Sequence, residues 1–145
     1  MLKSSFVLLL AASAAVVIGV AQQPTTTIKK VPIKPTPVAS GQQMYATYCA
    51  TCHGPTGLGN GPAAPALKVP ATDLTTLSQK NGGSYPSAHV ATVLRFGTEN
   101  PAHGNADMPI WGDLMKSLGP STWSKDQVVQ QRISNLTDYI QQMQK

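Results

Sequence analysis

The stretch CATCHG, residues 49–54, contains both cysteines of the 145-residue chain and one of its three histidines. A disulfide between Cys49 and Cys52 would close a very short loop, so it would stabilise the fold very little. A zinc site would need further ligands at suitable spacing, and the chain has no other cysteine. A redox dithiol of this spacing belongs in a βαβ unit, which the surrounding sequence does not suggest. The stretch therefore indicates another kind of chemistry.

Cys-x-x-Cys-His is the attachment sequence of c-type haem. The thiols of Cys49 and Cys52 add to the two vinyl groups of the macrocycle, and the adjacent imidazole of His53 lies beneath the iron. Thioether bonds do not dissociate, so the cofactor is retained and orders the loops around it. The sequence thus predicts one covalent haem c, attached through Cys49 and Cys52 and ligated by His53.

Three segments of the chain have the apolar spacing of helices. Residues 41–48 predict a short helix that leads directly into CATCHG, and residues 87–96 predict a second helix that ends at Gly97. The third begins after Ser124, where Gln127 completes a capping-box pattern. Its apolar face follows at spacings of three and four residues, through Val129, Ile133, Leu136, Ile140 and Met143.

The remaining sequence predicts loops. No segment shows sustained alternation of apolar and polar residues, so strands are not expected. The Gly- and Pro-rich residues 54–70 predict a loop, with a turn of helix near residues 63–67. We therefore expect an all-α fold, a small domain of three or more helices and long loops wrapped around one covalent haem. Three helices provide few side chains for the core, so the core would be small. A haem at the centre would complete it.

The chain is predicted to have three parts. Residues 1–21 combine an early lysine, an apolar run and small residues near Ala21, which indicates an export signal peptide or an uncleaved N-terminal anchor. Residues 22–39 are rich in proline, threonine and lysine and predict a disordered linker. Residues 40–145 form the domain. We expect this domain outside the cytoplasm, in the bacterial periplasm, soluble after cleavage or tethered to the membrane through residues 1–21.

Four of the five net positive charges lie in residues 1–39, which contain four lysines and no acidic residue. Residues 40–145 contain seven basic and six acidic residues, so the domain itself is nearly neutral. A nucleic-acid-binding domain would need a basic stripe, and the sequence has none. No constellation of carboxylates and no Ser-His-Asp set is visible outside CATCHG. We therefore expect no nucleic-acid partner and no catalytic site beyond the haem.

Residues 40–145 resemble a single-haem class I cytochrome c. In that family a glycine lies eight residues, and an aromatic residue four residues, before the first cysteine, as Gly41 and Tyr45 do here. A leucine and an aromatic residue of the C-terminal helix cross the first helix at this glycine, and Leu136 and Tyr139 fit that pattern. The resemblance implies a packed pair of terminal helices beside the haem.

The resemblance also places Pro62 and Trp111 beside the cofactor. In the family, a Gly-Pro turn after the haem histidine supplies a backbone carbonyl to the other ring nitrogen, and Gly61-Pro62 matches this turn. Such a hydrogen bond would fix the tautomer of His53 and strengthen it as a donor to iron. Trp111 would pack at the haem edge.

The second axial ligand must come from the opposite side of the haem. Candidates are Met44, Met108, Met115, Met143, His89 and His103. Met108 lies in NADMPIW, and a Met-Pro followed closely by an aromatic residue resembles the distal-ligand loop of the family. The resemblance thus implies iron ligation by His53 and Met108, and His103 and Met115 are the main alternatives. His89 falls on the second predicted helix, where we expect it to be exposed.

A class I cytochrome c is an electron carrier, and the resemblance implies that role here. With both axial positions filled, the iron would cycle between ferric and ferrous with little rearrangement. Donors and acceptors would be redox proteins that bind transiently, and the carrier itself is expected to be a monomer. Two alternatives stay open. The chain could be a fixed haem c subunit of a membrane oxidase, reductase or dehydrogenase, or a five-coordinate haem peroxidase or gas sensor if Met108 is not a ligand.

Overall fold

The computed structural model describes residues 32–97 and 108–145, and its regular elements are all helical. The expected export segment, most of the linker and His103 lie outside the described residues. Within the described part, no helix has the length and apolar character needed to span a bilayer. The helices are α1 (Gly41–Met44), α2 (Ala50–His53), α3 (Leu77–Lys80), α4 (Ser87–Phe96), α5 (Trp111–Met115) and α6 (Lys125–Gln141), with 3₁₀ turns at Ala64–Ala66 and Leu74–Thr76. The all-α prediction is confirmed.

The helix that leads into CATCHG is continuous but changes its hydrogen bonding. The Ser40 side chain caps α1 by accepting a hydrogen bond from the Gln43 N–H at 3.2 Å. A π turn, Tyr45–Cys49, follows α1, and α2 continues the same helical run. Wider turns of this kind are frequent at functional sites. Here the π turn ends at the first cysteine, and the helix extends beyond its predicted end to His53.

The first and last helices cross at Gly41, as the family resemblance implied. A Cβ atom at Gly41 would lie 2.1 Å from the Asn135 backbone oxygen and 2.8 Å from Tyr139 Cβ. The absence of a side chain therefore lets α1 and α6 approach closely. One turn further along, the rings of Tyr45 and Tyr139 lie 5.5 Å apart at 51°, and Leu136 is fully buried beside them.

Helix α6 supplies much of the core. The Ser124 hydroxyl accepts from the Gln127 N–H at 3.2 Å, and the Gln127 side chain accepts from the Ser124 N–H at 2.9 Å, so the predicted capping box is present. The buried apolar residues of α6 are Val128, Val129, Ile133, Leu136 and Ile140. Full burial of such a side chain stabilises the fold by about 1.5–3 kcal/mol. Helix α4 has the predicted bounds, buries Val90 and Leu94, and ends at Gly97, whose φ is 82°.

Helix α5 was not predicted from the sequence. It has five residues, of which Trp111, Gly112 and Met115 are buried. A Cβ at Gly112 would lie 2.3 Å from the Arg95 oxygen, so the glycine allows α5 to lie directly on the end of α4. A helix of little more than one turn shows no apolar period, so it depends on tertiary contacts, among them its packing against α4 and α6.

The structure corrects the linker prediction for its last residues. Residues 32–39 contain no helix or strand, but their backbone is bound to the domain. The Tyr48 hydroxyl donates to the Lys34 carbonyl at 2.7 Å, and Asn135 Nδ2 donates to the Val38 carbonyl at 2.8 Å. Ile33 packs against the hydrophobic core. Proline-rich composition indicates the absence of regular structure, and it does not exclude binding to a folded surface.

Candidate haem site

The two cysteines lie on the helix that ends at His53. Cys49 is buried with 6% of its surface exposed, Cys52 is half-buried, and neither forms a disulfide. Burial, assisted by the nearby Cys52, raises the pKa of the Cys49 thiol to about 12. A redox dithiol requires a thiolate near neutral pH, and this thiol would hold its proton. The spacing of the two thiols, with no disulfide between them, agrees with covalent attachment of a haem.

The ring of His53 is oriented by a hydrogen bond. Its Nδ1 lies 2.9 Å from the Thr72 carbonyl oxygen. A carbonyl only accepts, so Nδ1 carries the proton and Nε2 retains its lone pair. Burial lowers the pKa of His53, against the opposing effect of the Thr72 bond. The imidazole is thus held in the neutral tautomer that can donate Nε2 to a metal.

The prediction that the Gly61-Pro62 turn bonds to His53 is wrong in this structure. The Gly61 N–H donates to the Cys52 carbonyl at 3.0 Å, and the Ala63 N–H donates to the Thr51 carbonyl at 2.9 Å. The Gly61 carbonyl itself accepts from Ala64 at 2.9 Å. The turn therefore binds the backbone of α2, and Pro62 is exposed. The Thr72 carbonyl supplies the acceptor for the ring instead.

Tyr45 has a second role that the sequence did not suggest. Its hydroxyl donates to the Gly54 carbonyl at 2.7 Å, in a buried position. Gly54 directly follows His53 and has a φ of 77°, a conformation that favours glycine. On the other side of the turn, the Gly59 N–H donates to the His53 carbonyl at 2.8 Å. A buried tyrosine normally has a hydrogen-bond partner for its hydroxyl. A tyrosine at a packed helix crossing was therefore the signal in the sequence for such a bond.

The candidates for the distal ligand lie in different environments. Met108 is half-buried, packs against the hydrophobic core and directly precedes Pro109, Ile110 and α5. Met44 and Met115 are fully buried within the core. Met143 is half-buried, with its sulfur 3.4 Å from the position of a Cβ built on Gly57. His89 is exposed on α4, as predicted.

Trp111, which was predicted to pack at the haem edge, is buried against the helix that carries the cysteines. Trp111 is 7% exposed and begins α5. Its ring stacks on that of Tyr48, with centroids 5.4 Å apart and an interplanar angle of 28°. Because Tyr48 directly precedes Cys49, this stacking joins the start of α5 to the helix that carries the cysteines.

Comparison with known protein families agrees with this arrangement. The cytochrome c family model matches residues 38–144 of the chain. The chain belongs to the cytochrome c family. The comparison with curated proteins gave no match. The fold is thus a small all-α cytochrome c fold, and this cytochrome has a haem-binding, electron-transfer role.

The residues of this cytochrome fit a covalent haem c. Two cysteine thiols outside any disulfide stand at the attachment spacing, and the adjacent imidazole is held with Nε2 unprotonated. No group of three or more His, Cys, Asp or Glu residues that could hold a free metal ion occurs in the described ranges. The donor set therefore suits iron within a macrocycle, where the porphyrin supplies the other ligands.

Proposed function

We propose that this cytochrome carries single electrons between redox proteins outside the cytoplasm. One haem c would be attached through Cys49 and Cys52, with His53 and Met108 as the axial ligands. The observation that carries this proposal is the bond from His53 Nδ1 to the Thr72 carbonyl, which leaves Nε2 available to a metal on the residue that directly follows Cys52. Bound haem supplies the redox chemistry, a change between ferric and ferrous iron.

The environment of the methionines supports Met108 as the second ligand. A distal ligand must present its sulfur to the cofactor, so it cannot be enclosed by other side chains. Met44 and Met115 are fully enclosed, whereas Met108 and Met143 lie at the edge of the core, and of these two only Met108 has the Met-Pro-aromatic sequence that resembles the distal-ligand loop of the family. Met108 is also followed by Pro109, which restricts the backbone beside it. His103 remains the alternative outside the described residues.

The chain's residues would determine the reduction potential. A thioether is a soft, weak donor that favours ferrous iron, so ligation by methionine raises the potential relative to a second histidine. Buried apolar side chains such as Leu94, Trp111 and Leu136 provide a low-dielectric surrounding, and Leu67 and Val93 are half-buried. With both axial positions filled, no open site remains for substrate, which favours a carrier over an enzyme.

An optical redox titration of Met108→Ala tests the ligand assignment. The wild-type protein is expected to show a c-type spectrum, the ferric sulfur-to-iron band and a positive midpoint potential. Met108→Ala is expected to lose the band and to bind carbon monoxide when reduced, because an axial position becomes open. Met143→Leu, a change at another half-buried methionine, is the matched control and is expected to retain the band.

Three outcomes would contradict the assignment. A band that persists in Met108→Ala would indicate another methionine, such as Met115, as the ligand and would also overturn the argument from burial. A strongly negative midpoint without the band in the wild-type protein would indicate a second histidine. Carbon monoxide binding to the untreated wild-type protein would instead favour a five-coordinate peroxidase or gas sensor.

The location and partners form part of the same proposal. Residues 1–21 would direct export and then be cleaved, or would anchor the chain in the membrane. Partners would be redox proteins that bind transiently over a small interface, and the carrier would act as a monomer. Since the domain is nearly neutral, association should depend only weakly on ionic strength. Fractionation of the host cell and co-purification would distinguish a free carrier from a subunit of a membrane complex.

A further inference from the structure

The segment of residues 33–38, here called the N-terminal strap, is bound by a connected set of hydrogen bonds. Arg132 Nη1 donates to Thr36 Oγ1 at 3.0 Å, and Nη2 donates to the Thr36 carbonyl at 2.5 Å. The Thr36 and Tyr48 hydroxyls lie 3.0 Å apart. Because the Tyr48 proton is directed to the Lys34 carbonyl, the Thr36 hydroxyl donates to Tyr48. The bonds thus run in one direction, from Arg132 through Thr36 and Tyr48 to Lys34.

Arg132 is an unusual residue for the core of a small domain. Its relative exposure is 0%, and no carboxylate of the described residues pairs with it. Its Nε has no hydrogen-bond partner in the same part of the chain. Burying a guanidinium costs free energy that backbone carbonyls only partly offset. An apolar side chain would fill this space at lower cost, so packing alone does not account for an arginine here.

The same network contacts both ends of α5. Arg132 Nη2 also donates to the Leu118 carbonyl, and the Leu118 N–H donates to Met115, the last residue of α5, at 3.1 Å. At the other end, the Tyr48 ring stacks on Trp111, the first residue of α5. Helix α5 has five residues and cannot hold its position by its own hydrogen bonds. Its placement therefore depends on tertiary contacts, those with α4 and α6 and those with this network.

We propose that the N-terminal strap, bound by Arg132 and Tyr48, positions α5 and with it the Met108 sulfur at the iron. This inference rests on the assignment of Met108 as the distal ligand. Met108 is three residues before Trp111, with Pro109 between them, so a shift of α5 moves the methionine. Arg132, Tyr48 and Thr36 are positioning residues, and a segment outside the helical domain regulates the strength of an axial bond.

Competition by added imidazole tests the proposal on the full-length haem protein. Imidazole binds ferric iron only where the methionine has left, so its apparent affinity follows the fraction of protein with an open distal position. Arg132→Met and Tyr48→Phe are each expected to raise that affinity about tenfold, as for the loss of a charge-assisted or buried hydrogen bond. Both should weaken the ferric sulfur-to-iron band. Arg132→Lys keeps the positive charge but not the paired N–H donors of the guanidinium. Its imidazole affinity should therefore lie between those of the wild type and Arg132→Met.

Matched variants separate positioning from general stability. Thr36→Val removes the hydroxyl link while leaving α6 unchanged, and it is expected to act in the same direction as Tyr48→Phe. Thr137→Val alters another buried polar residue of α6 that lies outside the strap network, and it should leave both the band and the imidazole affinity unchanged. In every variant, helix content checks folding. The spectrum of the complex that the haem forms with pyridine in alkali checks haem attachment.

The outcomes distinguish this inference from the proposed function. If strap variants lower the melting temperature but leave the band and the imidazole affinity at wild-type values, Arg132 is merely structural and the positioning role is overturned. The same holds if Thr137→Val changes them equally. A wild-type band that is absent, or that survives in Met108→Ala, would overturn the ligand assignment and the strap role together.

Discussion

Single residues shape the site through hydrogen bonds from side chains to backbone carbonyls. His53 donates to Thr72, and Tyr45 donates to Gly54 on the other side of the same turn. Together with the Gly59 N–H on the His53 carbonyl, these bonds restrain the imidazole, the residue that follows it and the backbone between them. Each acceptor is a main-chain group, so the site is held by the path of the loop rather than by a set of charged partners.

Tyr45→Phe measures the contribution of one such bond. The ring can still pack against Tyr139, but the Gly54 carbonyl loses its donor in a buried position. The free energy of unfolding is expected to fall by about 1–3 kcal/mol, because a buried acceptor left without a partner costs its full desolvation. Denaturation by guanidinium chloride checks the value. Tyr139→Phe, which leaves the bond to Gly54 intact, is the control, and equal losses in the two variants would show that Gly54 finds another donor.

Helices contribute at the next scale through the close crossing of α1 and α6. Gly41 brings the two helices into backbone contact, and Tyr45, Leu136 and Tyr139 fill the space beside the crossing. The crossing fixes the direction in which the π turn and α2 leave α1, and therefore where the cysteines lie relative to α6. Helix α5 is positioned differently, by α4, α6 and the N-terminal strap.

Gly41→Ala tests the crossing. The added methyl group would lie 2.1 Å from the Asn135 oxygen, a backbone atom that cannot rotate away. We expect a loss of about 1–3 kcal/mol or more from overpacking, despite the better helix propensity of alanine. Thermal unfolding monitored by helix content gives the measurement. Gln42→Ala changes the exposed neighbour and should be nearly neutral; a Gly41→Ala protein as stable as this control would disprove the close approach.

At the scale of the whole domain, the ion pair seen among residues 32–97 and 108–145 contributes little to stability near neutral pH. Lys116 Nζ and Asp113 Oδ1 lie 2.7 Å apart and form an ion pair. Both side chains are exposed, and exposed ion pairs contribute about 0–1 kcal/mol to the free energy of unfolding. Stability there comes from the apolar core and from hydrogen bonds. At alkaline pH, stability should depend on pH, because buried and hydrogen-bonded tyrosine hydroxyls titrate there.

Tyr85 predicts a loss of stability at high pH. Its hydroxyl donates to the Thr137 carbonyl at 3.0 Å, and burial, with a smaller effect of Asp138, raises its pKa from 10.0 to about 12. Between these values the folded protein keeps a proton that the unfolded chain has lost. Its contribution is therefore complete below pH 10.0 and is lost as the pH rises through about 12. Denaturant midpoints measured across this range should fall with pH.

Tyr85→Phe isolates this contribution. The variant should lose less stability over the same alkaline range, because phenylalanine does not titrate. Part of the loss should remain, since burial also raises the pKa of Tyr45 to about 12. A Tyr85→Phe protein whose stability falls as steeply as that of the wild type would assign the alkaline transition to other groups.

The sequence by itself determined the haem-binding, electron-transfer role and the main helices of this protein. CATCHG predicts haem attachment through adjacent residues, and α4 and α6 have local signals in their apolar spacing and caps. The attachment motif and these helices depend on residues close together in the chain, so a linear pattern contains them. The crossing of Gly41 with Tyr139, which lie 98 positions apart, was predicted instead from the resemblance to class I cytochrome c.

Only the tertiary structure decided which distant groups complete the site. Thr72 lies nineteen residues from His53 and contributes a carbonyl, which every residue type possesses, so no sequence pattern marks it. Helix α5 is too short for a period, and the strap contacts join residues 96 and 97 positions apart. Backbone acceptors and long-range contacts are chosen by how the chain packs, because their energies depend on distance and burial rather than on neighbouring residues.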